Sequence, residues 1–89
     1  MLEQQLTIIN KLGLHARAAA KLVKLSAGFE SDIEIEKDDK RVNCKSIMGV
    51  MMLAASRGSS VTLYVKGGDE IQAMEAVCQL INDRFGEDE

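Results

Sequence analysis

An α+β open-faced β-sandwich, ordered β-α-β-β-α-β-α, is the fold this sequence predicts, and three observations predict it. The segments Asp32 to Lys37 (DIEIEK) and Ser60 to Lys66 (SVTLYVK) alternate apolar and polar residues, the pattern of strands buried on one side only. From Ala16 and again from Asp69, apolar residues recur at the 3.6-residue period of a helix with one buried face. A sheet with a single hydrophobic face needs a cover, and helices packed on that face supply it.

Each element has its own signal. Leu6 to Ile9 (LTII) reads as a first strand ending at Asn10-Lys11. In the first helix Ala19, Leu22, Val23, Ser26 and Ala27 make the apolar stripe, and Gly28 stands at its C-cap with Lys24 near the negative end. Ile33 and Ile35 face inward on the DIEIEK strand. Asp38-Asp39 then forms a polar turn, and Arg41 to Cys44 returns as the other half of a hairpin with Val42 inward. Ser46 is expected to cap a short apolar helix running to about Ala55, ended by Arg57-Gly58, with Val50, Leu53 and Ala54 in the core. Val61, Leu63 and Val65 are the inward set of the SVTLYVK strand, which Gly67-Gly68 breaks. Asp69 is expected to cap the last helix, with Ala73, Met74, Val77, Cys78, Ile81 and Phe85 as its stripe. One domain spans residues 1–89, and the acidic stretch 86–89 is expected to fray.

Composition removes several functions. The net charge is -3, with no tryptophan and no long basic run, which argues against the clustered positive face a nucleic-acid binder needs. MLEQQLTIINK lacks the features of a signal peptide, and no apolar run reaches the length of a membrane span. Cys44 and Cys78 form no C-x-x-C pair and read as two buried thiols of a cytoplasmic protein, with a disulfide between them the competing reading.

His15 is the one histidine, and it stands in the stretch GLHARAAAKL. A lone loop histidine is most often a solvated polar residue. A metal site is poorly supported, because no cluster of further ligands accompanies it. A catalytic triad is poorly supported as well, lacking a nucleophile elbow. The neighbours favour a fourth role. A helix beginning at Ala16 leaves first-turn N–H groups, those of Ala16 and Arg17 among them, without intrahelical partners. With the positive end of the helix dipole, these donors make an anion site. Arg17 adds a guanidinium suited to phosphate oxygens, and the dipole favours neutral imidazole, the nucleophilic form. The arrangement suits a histidine that accepts a phosphoryl group and gives it away, with no cofactor or metal required.

Two motifs, GLHAR at Gly13 to Arg17 and KSIMGVMMLAASRGS at Lys45 to Ser59, extend this reading. From Leu6 to about Phe85 the chain closely resembles the histidine-containing phosphocarrier (HPr) family of the bacterial phosphoenolpyruvate-dependent sugar phosphotransferase system. The resemblance implies a four-stranded, largely antiparallel sheet with three helices on one face. It implies that His15 takes a phosphoryl group from phosphorylated Enzyme I and passes it to an EIIA domain, so that the protein is a stoichiometric carrier rather than an enzyme. It also implies phosphorylation of Ser46 by HPr kinase/phosphorylase where that enzyme exists. A monomer is expected. Family members commonly carry proline where this chain has Ala18, and alanine, the best helix former, should preserve the first turn.

Ser46 also reads as a plain N-cap, without a reciprocal capping box because position 49 is glycine. A phosphate there would sit on a helix N-terminus and leave the fold intact. The following helix holds more apolar residues than one buried face uses. Ile47, Met48 and Met51 are therefore expected on an exposed docking face, although a helix buried all round is the competing reading. Besides a sugar-system carrier, the residues admit a purely regulatory docking module and a carrier of the nitrogen-related branch. An intact His15 and Arg17 weigh against the module.

Overall fold

A computed structural model describes residues 1–88 of the chain. Its elements are β1 (Leu2–Thr7), α1 (Ala16–Ala27), β2 (Asp32–Lys37), β3 (Lys40–Asn43), α2 (Ile47–Met52), β4 (Ser60–Lys66) and α3 (Glu70–Asn82), followed by a 3-10 turn over Arg84–Gly86. Among the described residues the strands form one four-stranded sheet in the order β1-β4-β2-β3, every pair antiparallel.

The alternation read from the sequence decides which face is covered. Ile33, Ile35, Val61, Leu63 and Val65 are buried beneath the helices with Leu22, Val50, Val77 and Ile81. The opposite face carries Glu34, Glu36, Thr62 and Tyr64 at intermediate exposure. There the Tyr64 hydroxyl donates to Glu36 at 2.7 Å, and the Arg41 guanidinium lies 3.6 Å from the Tyr64 ring centroid while its Nε donates to Glu34. Asp38 and Asp39 have φ of 50° and 68°, the left-handed pair of a type I′ turn, whose twist matches the hairpin it closes.

The structure differs from the sequence reading in several places, among them β3, which spans Lys40–Asn43 rather than Arg41 to Cys44. The first strand occupies Leu2–Thr7 rather than Leu6 to Ile9, because pairing with β4 from Leu2↔Val65 to Thr7↔Ser60 holds even the polar Glu3-Gln4-Gln5 extended. Helix α2 ends at Met52, since Ala54 takes a φ of 53° and turns outward, leaving Ala55 buried in the place expected for Ala54. In α1, Ala18 is buried and Ala27 exposed, so the stripe sits one residue toward the start of the helix. Phe85 lies beyond α3, yet two left-handed residues, Arg84 and Phe85, turn its side chain back into the core. Asp69 is the N-cap of α3, its carbonyl accepting from Ala73 N–H at 2.9 Å, but its side chain makes no cap hydrogen bond to the helix.

The Asp69 carboxylate instead reaches across to the α1–β2 loop. It accepts from the backbone N–H of Glu30 at 2.9 Å and of Ser31 at 3.0 Å, and from the Ser31 hydroxyl. Gly67 permits this approach, since a Cβ there would lie 2.6 Å from Ser31 Cα. Cys44 and Cys78 are free, and burial pushes the Cys44 thiol up to about 12, so it is not a reactive thiolate.

The Ser31 hydroxyl bond, and after it the backbone donors, hold the Asp69 carboxyl below its ordinary value. A carboxyl depressed in the folded state stabilises the fold above the unfolded-state value and loses that contribution as pH falls through the folded-state value. Asp69→Asn should therefore lower the melting temperature at neutral pH, and the gap from the natural protein should close in strong acid. Thermal denaturation across that range checks both halves.

Candidate phosphoryl-acceptor site

The site is built where β1, α1 and the loop after α2 meet. Beyond β1 the chain stays tied to the segment that leads into β4: Ile8 N–H donates to the Ser59 carbonyl at 2.9 Å, and Gly58 N–H donates to that of Ile8 at 2.7 Å. Leu14 N–H donates to the Ala55 carbonyl at 2.8 Å. Gly13, with φ of 67°, passes so close that a Cβ would sit 2.5 Å from the Ala55 oxygen. These contacts fix the backbone that leads into His15 and α1.

His15 is the N-cap of α1, with extended backbone at φ -74° and ψ 177°. Its carbonyl accepts the first helical bond, from Ala19 N–H at 2.8 Å, and its ring Nδ1 accepts from Arg17 N–H at 3.3 Å. The imidazole thus does the work of a capping side chain. Its other nitrogen, Nε2, lies 2.5 Å from the Glu87 carboxylate. A carboxylate only accepts and a backbone amide only donates, so the neutral ring carries its proton on Nε2 and its lone pair on Nδ1.

Glu87 is itself anchored by its second oxygen, which accepts from Asn10 Nδ2 at 2.9 Å. Asn10 is fully buried, and the same amide nitrogen donates to the Gly13 carbonyl at 2.8 Å. The Asn10 hydrogen bond first, and the His15 bond after it, keep the Glu87 carboxyl below the ordinary glutamate value. Lys21 Nζ donates to the Phe85 carbonyl at 2.6 Å and ties the same segment to α1. The chain expected to fray is thus seated at Gly86 and Glu87, while Glu89 lies outside the described residues.

His15, Arg17, Lys21, Leu12 and Glu87 line an open depression of about 890 Å³. Arg17 and Ala16 are exposed at its edge, so the side chains expected around an anion are together. The Arg17 amide is engaged by Nδ1 rather than free, which places the ring nitrogen and not solvent at the helix end. Asn10 and Glu87 were not legible as site residues. The sole hint was an asparagine closing an apolar strand, and its partner lies 77 positions away.

Ser46 caps α2, its Oγ accepting from Gly49 N–H at 3.2 Å. Ile47, Met48 and Met51 are 39%, 67% and 43% exposed, and Met52 and Leu12, which the sequence reading passed over, are 68% and 65% exposed. Among the described residues no group of histidine, cysteine and carboxylate side chains could hold a metal ion, and no helix is long and apolar enough to cross a membrane.

Residues 2–83 match the family model described as the PTS HPr component phosphorylation site. The chain is 56% identical to the phosphocarrier protein HPr of Cupriavidus necator over 89 residues, the whole of both. It is 44% identical to the phosphocarrier protein NPr of Shewanella violacea, across 97% of this chain and 94% of that one. The crystal structure of HPr from Thermoanaerobacter tengcongensis superposes with a TM-score of 0.96 at 48% identity, covering 100% of each chain. With its fold, its motif and its relatives in agreement, the chain belongs to the HPr family of phosphocarrier proteins of the phosphotransferase system.

Proposed function

We propose that this protein accepts a phosphoryl group on His15 Nδ1 from phosphorylated Enzyme I and delivers it to an EIIA domain. The observation that carries the reading is the Nδ1 lone pair, held at the N-terminus of α1 against the Arg17 N–H. A phosphoryl group joined to Nδ1 would take over that amide as a donor and gain the positive end of the helix dipole. The exposed Arg17 guanidinium is free to fold onto the phosphoryl oxygens as countercharge. The open depression around His15 suits a monomer presenting one site to successive partners. The carrier is consumed and regenerated with its partners, and it turns over no substrate alone.

Docking is assigned to Ile47, Met48 and Met51, whose exposure leaves an apolar, adaptable face next to Ser46. Ser46 is assigned as the regulatory phosphorylation site, served by an HPr kinase/phosphorylase. Its phosphate would add about -1.5 to -2 charge at the edge of the patch that a partner must cover. The NPr relative favours a second reading, in which the same chemistry serves the nitrogen-related branch and its output is regulation.

Incubation with phosphoenolpyruvate and Enzyme I should load an acid-labile, base-stable phosphoryl group on His15, located by mass spectrometry. Label surviving His15→Ala would overturn the assignment. Arg17→Ala should fold normally and transfer about tenfold more slowly, the loss expected for a hydrogen bond to a charged group. Met48→Glu should weaken association with both Enzyme I and EIIA by about tenfold at nearly unchanged melting temperature; a large stability loss without a binding defect would place Met48 in the core. Ser46→Asp should raise the KM of Enzyme I for this protein by about tenfold and leave the circular dichroism unchanged. Wild-type loading at limiting concentration would reduce Ser46 to a cap.

A further inference from the structure

We infer that Glu87 is a positioning residue of the carrier site: its carboxylate keeps the ring proton of His15 on Nε2, so that Nδ1 remains the reacting nitrogen in both half-reactions. The inference rests on the phosphocarrier reading and extends it to a residue outside the GLHAR motif.

Three observations carry it. Glu87 Oε2 stands 2.5 Å from Nε2, whereas the donor to Nδ1 is a longer contact of 3.3 Å, so the carboxylate is the stronger determinant of the tautomer. The carboxylate is held in place, because both protons of the buried Asn10 amide are taken, one by Glu87 and one by the Gly13 carbonyl. Two acceptors on one nitrogen fix the orientation of that amide, and turning it over would set its oxygen against the carboxylate. Finally, the segment leading to Glu87 is anchored twice at Phe85, by its buried ring and by Lys21 on its carbonyl. The side chains of His15 and Glu87 are only 26% and 16% exposed, which limits competition from water.

The chemistry explains why a fixed proton is useful. In the first half-reaction the Nδ1 lone pair forms the Nδ1–P bond, and the bond from phosphorus to the donor atom breaks with its electron pair leaving on the donor. The ring already has its proton on Nε2 and becomes a phosphoimidazolium, whose positive charge the Glu87 carboxylate opposes. On delivery phosphorus bonds to the acceptor and the Nδ1–P electron pair returns to Nδ1. Imidazole leaves neutral, still protonated on Nε2. No proton need be taken from or returned to solvent in either step.

Nitrogen NMR of the His15 ring in alkaline solution, where imidazole is neutral, reads the tautomer without any phosphoryl transfer. The natural protein should show one pyrrole-like Nε2 and one pyridine-like Nδ1. In Glu87→Ala the two signals should converge, and kcat for loading from the phosphorylated donor should fall about fivefold, the loss of one partly exposed hydrogen bond, with KM unchanged. Glu87→Gln, which keeps an acceptor but no charge, should retain the Nε2–H signature and only part of the rate. A folded Glu87→Ala with unchanged ring shifts and kcat overturns the inference; should that variant not fold, natural kcat in Glu87→Gln does so instead. Failure of the natural protein to take label on His15 would sink the carrier reading and leave the tautomer result standing.

Discussion

The backbone contact of Gly13 and Leu14 with Ala55 is the constraint on which the working end of this molecule depends. It joins the turn that precedes α1 to the segment that follows α2, at a distance no side chain could occupy. The direction in which α1 leaves the loop, and so the place where its first-turn amides point, follows from that contact. The left-handed Ala54 belongs to the same arrangement, since its turn delivers the Ala55 carbonyl to the Leu14 amide. Helix α2 and His15 are thus held by one shared joint.

Electrostatics then divides the labour around His15. The helix end and Arg17 favour negative charge on the Nδ1 side of the ring, and Glu87 places a negative charge on the Nε2 side. A neutral imidazole between a donor and a carboxylate is polarised toward Nδ1 before any partner arrives. The protein carries a net charge of -3, so this local order comes from placement and not from an overall basic surface. The resulting site is open to solvent.

Much of the framework was legible because it is written in local periodicity. The two-residue period of DIEIEK and SVTLYVK selected the covered face of the sheet, and the three- and four-residue spacing of Ala19, Leu22 and Ser26 selected the buried side of α1. Ser46 was recognisable as a cap because its partner lies three residues away. Asp69 stands at the N-cap of α3 as expected, but its side chain does not cap, for the complementary reason. Its composition is that of a cap, but the competing donors of Glu30 and Ser31 come from a distant loop, and three hydrogen bonds there outweigh one at the start of α3.

The sequence by itself determined the covered sheet, the helix that begins at Ala16, and a histidine at its N-cap with an arginine two residues on. Each of these depends on residues within a turn or two of one another, where spacing alone dictates which side chains share a face. Only the tertiary structure decided which ring nitrogen carries the proton. That choice requires Glu87, 72 positions from His15, to be carried home by the left-handed turn at Arg84 and Phe85 and clasped by Asn10. Such a pairing leaves no period in the chain, because it is the packed core, and not the local backbone, that brings its members together.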